Sequence, residues 1–273
     1  MPGERSAPPF PASDPLSGDL MSDFSGQIVF ITGASGGIGS QIAREFAHAG
    51  ASVVLHDFGL AEAAQSLQKE LEAGGARTLL VDGDLTDPAV SRTIAGQIDG
   101  AFGRLDVLVN NAGASPDKMA FDQLPAETWD RVISINLRSV FLVTQACLPL
   151  LKKSARGRVI NVSSTAARNG GAPGGSAYAA AKGAVSSLTK AFAKDFCASG
   201  IHVNAVAPGL VDTAFYGNFS VAEKYAERIK GIPAGRVGQP ADIAGPVLFL
   251  ASPMADYIVG EVLEVSGGLS LMA

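Results

Sequence analysis

Tyr178-Ala-Ala-Ala-Lys182 places a phenol and an ammonium one helical turn apart on a shared face. A cation beside a phenol favours the phenolate, so the tyrosine pKa, ordinarily about 10, should fall. Such a tyrosine can give or take a proton near neutral pH. Alone, the pair is the everyday solvated pair of a helix surface. Its neighbours give it more weight. Upstream, Arg158-Val-Ile-Asn-Val-Ser163-Ser164 reads as a buried strand ending in two serines. Ligands of parallel sheets sit at that carboxyl edge. A serine there could hydrogen-bond the same substrate oxygen as Tyr178, across a loop over Asn169-Gly-Gly-Ala-Pro-Gly-Gly175. Of the two, Ser164 is read as the site residue and Ser163 as structural.

A second cluster could hold a phosphate. The run Thr32-Gly33-Ala34-Ser35-Gly36-Gly37-Ile38-Gly39 follows an apolar strand and opens a helix. Glycines allow the tight turn and the close approach of a pyrophosphate, and the helix start offers free N–H groups and a positive dipole end. The spacing Gly33-x3-Gly37-x-Gly39 departs from G-x-G-x-x-G. Asp57, at the end of the next strand, can accept both hydroxyls of an adenosine ribose and repels a 2′-phosphate. No Arg or Lys lies in the glycine run or just after Asp57, so the expected cofactor is NAD rather than NADP. His56 reads as a polar strand-end residue. The three histidines, His48, His56 and His202, lack metal spacing, so no metal site is expected.

These residues need a frame that brings them to one edge. Seven β-rich runs recur, at Ile28–Thr32, Ser52–His56, Arg77–Val81, Leu105–Asn110, Arg158–Val162, His202–Val206 and Val262–Val265. Most are continuous apolar runs, the mark of parallel strands buried on both faces. Amphipathic stretches alternate with them: Ser40–Ala49, Ala61–Ala73 ended by Gly74-Gly75, Pro88–Phe102 opened by Asp87-Pro88, Thr128–Leu151, Tyr178–Ala198 and Asp242–Leu250. The alternation predicts an α/β fold, a doubly wound parallel seven-stranded sheet in one domain over residues 25–273. Residues 1–24, rich in proline and without apolar periodicity, read as a flexible extension, too acidic for a transit peptide and without the apolar core of a secretory signal.

Composition narrows the partners. The chain has 273 residues, 47% hydrophobic and 17% charged, with a net charge of −5 and a pI near 5.2. That balance gives no electrostatic footprint for nucleic acid or an anionic membrane. Two cysteines, Cys147 and Cys197, are not a disulfide framework, so a reducing, cytoplasmic setting is expected. The most apolar stretch, Val140–Leu151, is too short to span a bilayer, which takes about 20 residues.

Taken in order, these motifs resemble the single-domain branch of the short-chain dehydrogenase/reductase family. They are Thr32-Gly33…Gly37-x-Gly39, Asp84-Leu85, Asn110-Asn111-Ala112-Gly113, Asn136, Ser164, Tyr178-x3-Lys182, and Pro208-Gly209 followed by Thr213. The resemblance covers about residues 25–270. It implies that Ser164 holds the substrate oxygen and Tyr178 exchanges its proton. Lys182 would bind the nicotinamide ribose and lower the tyrosine pKa, and Asn136 would keep a water in a proton relay behind it. Asp84 and Leu85 would meet the adenine side, while Asn111, Ala112 and Gly113 would sit beside the cofactor. Pro208, Gly209, Val211 and Thr213 would flank the nicotinamide. Family members are commonly tetrameric, so a homotetramer is implied. Three departures stand out. The Ser164–Tyr178 gap is one residue longer than is common in the family. Ser266 stands where aspartate is frequent. The lid region over 214–232, with Phe215, Tyr216, Phe219 and Tyr225, matches no one subfamily.

The leading expectation is hydride transfer between NAD(H) and a small-molecule secondary alcohol or ketone, such as a polyol, sugar or hydroxy acid. A second is an NADPH-dependent 3-oxoacyl-[acyl-carrier-protein] reductase. That reading expects a basic patch, for which Arg131, Arg138 and Arg168 leave room, although Asp57 and the acidic balance oppose it. A third is a non-catalytic cofactor-binding sensor, which usually lacks a catalytic residue; none is missing here. Pocket candidates are Ala114, Ala166, Leu210, Phe215 and Tyr216, whose apolar character suggests a substrate with some hydrophobic surface.

Overall fold

Apolar strands buried on both faces assemble into one parallel sheet. The computed structural model describes residues 23–115, 119–213 and 229–272. Seven strands run in the spatial order β3-β2-β1-β4-β5-β6-β7: β1 Ile28–Ile31, β2 Ser52–Asp57, β3 Thr78–Asp82, β4 Val107–Asn110, β5 Arg158–Val162, β6 His202–Pro208 and β7 Val262–Val265. All their pairings are parallel. The order reverses between β1 and β4, which opens a crevice at the carboxyl ends of those strands.

Alternate side chains of one strand serve two cores. Val29 and Ile31 face α1 (Gly37–His48), α2 (Ala61–Ala73) and the helix Pro240–Ala251. Ile28 and Phe30 face α3 (Pro88–Phe102) and the helices Ser139–Leu151 and Ser176–Phe196. The helix bounds follow from local chemistry. α3 starts where the Asp87 carboxylate accepts the Ala89 N–H at 2.7 Å with Pro88 in the first turn, and stops at Gly103, φ 76°. α2 stops at Gly74, with Gly75 at φ 89°.

The long helix expected over Thr128–Leu151 is instead three pieces, α4 (Ala126–Ile133), a π-helical turn (Ser134–Arg138) and α5 (Ser139–Leu151). The π turn holds Asn136, whose amide reaches sideways to the backbone of Ala114 and back to the Val132 carbonyl. A wider turn accommodates that intrusion. The whole helical unit Ala126–Leu151 is long and apolar enough to cross a membrane. Its Val143, Cys147, Leu150 and Leu151 pack into the second core, which marks it as a core helix. Further α-helices among the described residues are α6 (Ala166–Asn169), α7 (Ser176–Phe196) and α8 (Pro240–Ala251).

The boundary expected at residue 24 shifts. Phe24 is buried in the first core, edge-to-face with Phe46 at 4.8 Å, and its N–H meets the Ala49 carbonyl. An aromatic ring that fills a core gap belongs to the domain. Residues 1–22 lie outside the described residues.

Candidate active site

Along the carboxyl edge of the sheet runs one cleft of about 930 Å³. At its β1 side the chain leaves the strand at Thr32 and turns at Gly33, φ 62°. The loop is packed without slack. A Cβ on Gly39 would lie 2.2 Å from the Gly33 carbonyl oxygen, and one on Gly37 would lie 2.8 Å from the Thr213 methyl. The Gly36 cap contributes no side-chain bond, so the first-turn amides of α1 keep their donors for a ligand. Gly33, Ser35, Gly37, Ile38 and Gly39 all line the cleft.

Asp57 ends β2 and is nearly buried. Its carboxylate accepts the Ser35 hydroxyl and, at 2.9 Å, the Leu60 N–H. Among the described residues no Lys or Arg is paired with it. A ligand at this position would therefore meet an uncompensated negative charge, held rigidly by two donors. Asp84, Leu85 and Thr86 follow β3 along the same wall, and Phe58 and Leu60 form its exposed lip.

At the β4 end, Thr32 ties two strands together. Its Oγ1 accepts the N–H groups of Asn111 and Ala112, each at 2.9 Å. The Asn111 amide donates to the Thr32 and Gly33 carbonyls, which fixes the glycine loop to the Asn111-Ala112-Gly113 turn. Thr32 is a supporting residue whose role the sequence motif quoted but did not show.

The two serines after β5 separate cleanly. Ser163 is buried, with its hydroxyl on the Lys182 carbonyl at 3.0 Å and the Ser186 hydroxyl at 2.8 Å. Ser164 accepts the Ala166 N–H at 3.1 Å, and among the described residues its own hydrogen has no acceptor. The extra residue before Tyr178 falls in a stretch that can absorb it: α6 is only four residues long, and Gly170, Gly171 and Gly174 all take positive φ.

α7 carries Tyr178 and Lys182 to the cleft wall. Lys182 is 3% exposed, and its Nζ donates to the Val162 carbonyl at 2.8 Å. Burial holds its ammonium down to about 8. Nζ also lies 5.7 Å from the centre of the Tyr178 ring. Gly113 fills the space between this lysine and the π turn: a Cβ there would lie 3.2 Å from Nζ and 2.7 Å from Asn136 Oδ1.

Asn136 has a structural part beside its expected one. It is fully buried and does not line the cleft. Its amide hydrogens go to the Ala114 carbonyl at 2.7 Å and the Val132 carbonyl at 3.0 Å, and its oxygen accepts the Ala114 N–H at 3.2 Å. The side chain is a strap on the loop after Gly113. Only one lone pair of Oδ1 is left for the relay water that the resemblance implied.

Pro208, Gly209, Val211 and Thr213 close the far wall, with Ala114, Ala166 and Leu210 among the other lining residues. Gly209 is required there, since a Cβ would stand 2.9 Å from the Ser266 backbone. Arg131 also reaches the cleft, whereas Arg168 is paired with Glu264. Phe215, Tyr216, Phe219 and Tyr225 lie outside the described residues. Among the described residues no cluster of His, Cys, Asp or Glu could hold a metal.

The family model described as Enoyl-(Acyl carrier protein) reductase matches residues 33–270. The chain is 38% identical over 245 residues to the 3-oxoacyl-[acyl-carrier-protein] reductase FabG of Thermotoga maritima, covering 89% of this chain and 98% of that protein. It is 40% identical over 248 residues to the 2-dehydro-3-deoxy-D-gluconate 5-dehydrogenase of Bacillus subtilis, covering 89% and 94%. Among solved structures, a 7 alpha-hydroxysteroid dehydrogenase complexed with NADH and 7-oxo glycochenodeoxycholic acid superposes with a TM-score of 0.86 at 34% identity, covering 93% of this chain and 98% of that one.

Proposed function

The chain belongs to the short-chain dehydrogenase/reductase family, and from that premise we propose that it is an NAD-dependent oxidoreductase of secondary alcohols and their ketones. Ser164, Tyr178 and Lys182, all lining one cleft, are the observation that carries the reaction. The residues fit a nicotinamide dinucleotide. The glycine loop and the uncapped start of α1 suit a pyrophosphate, and Asp57 suits a ribose diol. Asp84 and Leu85 line the adenine side, and Asn111, Ala112, Gly113, Pro208, Gly209, Val211 and Thr213 the remainder. Bound there, the cofactor supplies a carbon that accepts or donates hydride.

The protein's own part is positioning and proton transfer. Ser164 donates its hydroxyl hydrogen to the substrate oxygen and holds it beside Tyr178. Tyr178 takes the alcohol proton in oxidation and returns it in reduction. Lys182, a buried cation, stabilises the phenolate that forms. Asn136 keeps the Ala114 backbone, and with it Gly113, packed against that lysine.

The preference for NAD rests on the carboxylate of Asp57, which no Lys or Arg among the described residues neutralises, and the NADH-bound structural relative supports it. A 3-oxoacyl-[acyl-carrier-protein] reductase using NADPH is the second reading, favoured by the matching family model and the Thermotoga relative. A homotetramer in a cytoplasmic setting completes the proposal; it is supported by free Cys147 and Cys197 and by exposed Phe121 and Phe141 around α4 and α5. A monomer mass in light scattering would contradict the tetramer. The function is tested with purified protein, NAD⁺ and a panel of secondary alcohols, against NADPH and a 3-oxoacyl thioester. Turnover in the first assay and little in the second is expected. The reverse would replace the first reading with the second.

A further inference from the structure

His56 is the polar residue beside Asp57 that the reaction does not use. It is 2% exposed, yet both its ring nitrogens are engaged. Nδ1 lies 3.1 Å from the Gly33 backbone nitrogen, and Nε2 lies 2.9 Å from the Gly83 carbonyl oxygen. A carbonyl only accepts and a backbone N–H only donates, so the pairing fixes the tautomer: Nε2 carries the hydrogen and Nδ1 is bare. The ring thus spans the two loops that flank the adenosine side of the cleft. One is the glycine loop at its left-handed turn; the other is the Gly83 turn, φ 134°, that leads to Asp84 and Leu85. The backbone repeats the link, with the Ala34 N–H on the His56 carbonyl at 2.8 Å.

We infer that neutral His56 is a positioning residue for the dinucleotide, a strut that holds the glycine loop and the Asp84 loop at the separation an adenosine diphosphate needs. The inference rests on the nucleotide reading above. It makes binding sensitive to acid in a definite direction. A second ring proton would face the Gly33 N–H donor to donor, break that bond and release the turn. Burial opposes the charge and outweighs the carboxylates of Asp57, Asp82 and Asp84, so the ring pKa lies below its usual 6.5. The strut is therefore intact at neutral pH and still intact at about 6.5, and it fails only as pH falls through that lowered value.

Two substitutions separate the ring's nitrogens. His56→Asn puts an amide oxygen near the place of Nδ1 and does not titrate. His56→Gln reaches toward Gly83 and leaves the Gly33 N–H without an acceptor. Calorimetric titration with NAD⁺ and with NADP⁺ is run on the parent and both variants between pH 8 and pH 5, with thermal denaturation as a control for folding. Hydrogen exchange of the Thr32–Gly39 segment is followed in the ligand-free proteins. The expected result is about tenfold weaker binding for His56→Gln at neutral pH, with kcat at saturating cofactor close to the parent's. His56→Asn should bind within about threefold of the parent, and its affinity should stay flat where the parent's falls with acid. Faster exchange of the glycine loop is expected in the Gln variant alone. Folded variants with the parent's affinity, pH profile and exchange would overturn the strut. A parent that binds neither dinucleotide would instead overturn the nucleotide reading on which it rests.

Discussion

At the amino ends of the strands, Asp106 is buried and fully engaged: its carboxylate accepts the Ile28 N–H at 2.8 Å, the Ser154 hydroxyl at 2.6 Å and the Arg104 guanidinium at 3.1 Å. Beside it, buried Arg158 is paired with half-exposed Asp256, which also holds Arg156. At the carboxyl ends, the same kinds of residue behave otherwise. Among the described residues, Ser164 keeps a hydrogen without an acceptor, Asp57 has no cation beside it, and Lys182 is a buried ammonium with no carboxylate. One edge closes most of its polar groups on one another, with only the Arg158 Nε left without a partner in this set, and the other leaves them open to a cleft. Buried polar residues alone do not mark a site; incomplete pairing beside a cavity does.

The contrast is broken most sharply by a pair of substitutions. Tyr178→Phe should lower kcat by about a thousandfold or more, while the NADH Kd changes by less than about threefold and the melting temperature holds. Asp106→Ala should do the reverse. It strands the Ile28 N–H in the core and should cost about 2–3 kcal/mol in a denaturant titration, with kcat and KM unchanged in the folded enzyme. A loss of activity in folded Asp106→Ala would remove the distinction between the two edges.

Lys182 sharpens the comparison from the stability side. Its ammonium is held at about 8 in the fold against 10.5 in the free side chain. The unfolded chain therefore binds that proton more tightly, and this group's contribution makes stability rise between about pH 8 and pH 10.5. Lys182→Met should lose this rise, worth up to about 3 kcal/mol across the window, along with most activity. The difference between variant and parent is the quantity to read. Cys147, pushed up to about 12 by burial, acts oppositely above about 9 and cancels in it. The smallest effect is expected at Asp256→Asn, which weakens the partner of Arg158. Half-exposed Asp256 is partly screened, so a loss of about 1–2 kcal/mol in denaturant is expected, with no change in turnover.

Much of this frame was legible in the sequence where one local rule sets the outcome. Ala61–Ala73, Pro88–Phe102, Arg158–Val162 and Val262–Val265 have the bounds read from caps, glycines and apolar runs. The seven-stranded parallel sheet follows from the alternation of those runs with helices. What escaped depends on tertiary contacts. The π turn exists because Asn136 bonds to Ala114, far away in sequence. The same bonds give the Asn136 side chain a structural part that the sequence alone did not show. Phe24 looked like tail because its partner Phe46 lies across a strand. His56 looked like an ordinary strand end because neither Gly33 nor Gly83 is adjacent in the chain.

The charge at Asp57 carries the choice between the two functional readings. Titrating the purified protein with NADH and with NADPH, following nucleotide fluorescence, measures it directly. NADH should bind more tightly, by about tenfold or more, and Asp57→Asn should lose the difference. Tighter NADPH binding by the parent would contradict it and put the 3-oxoacyl reductase reading first.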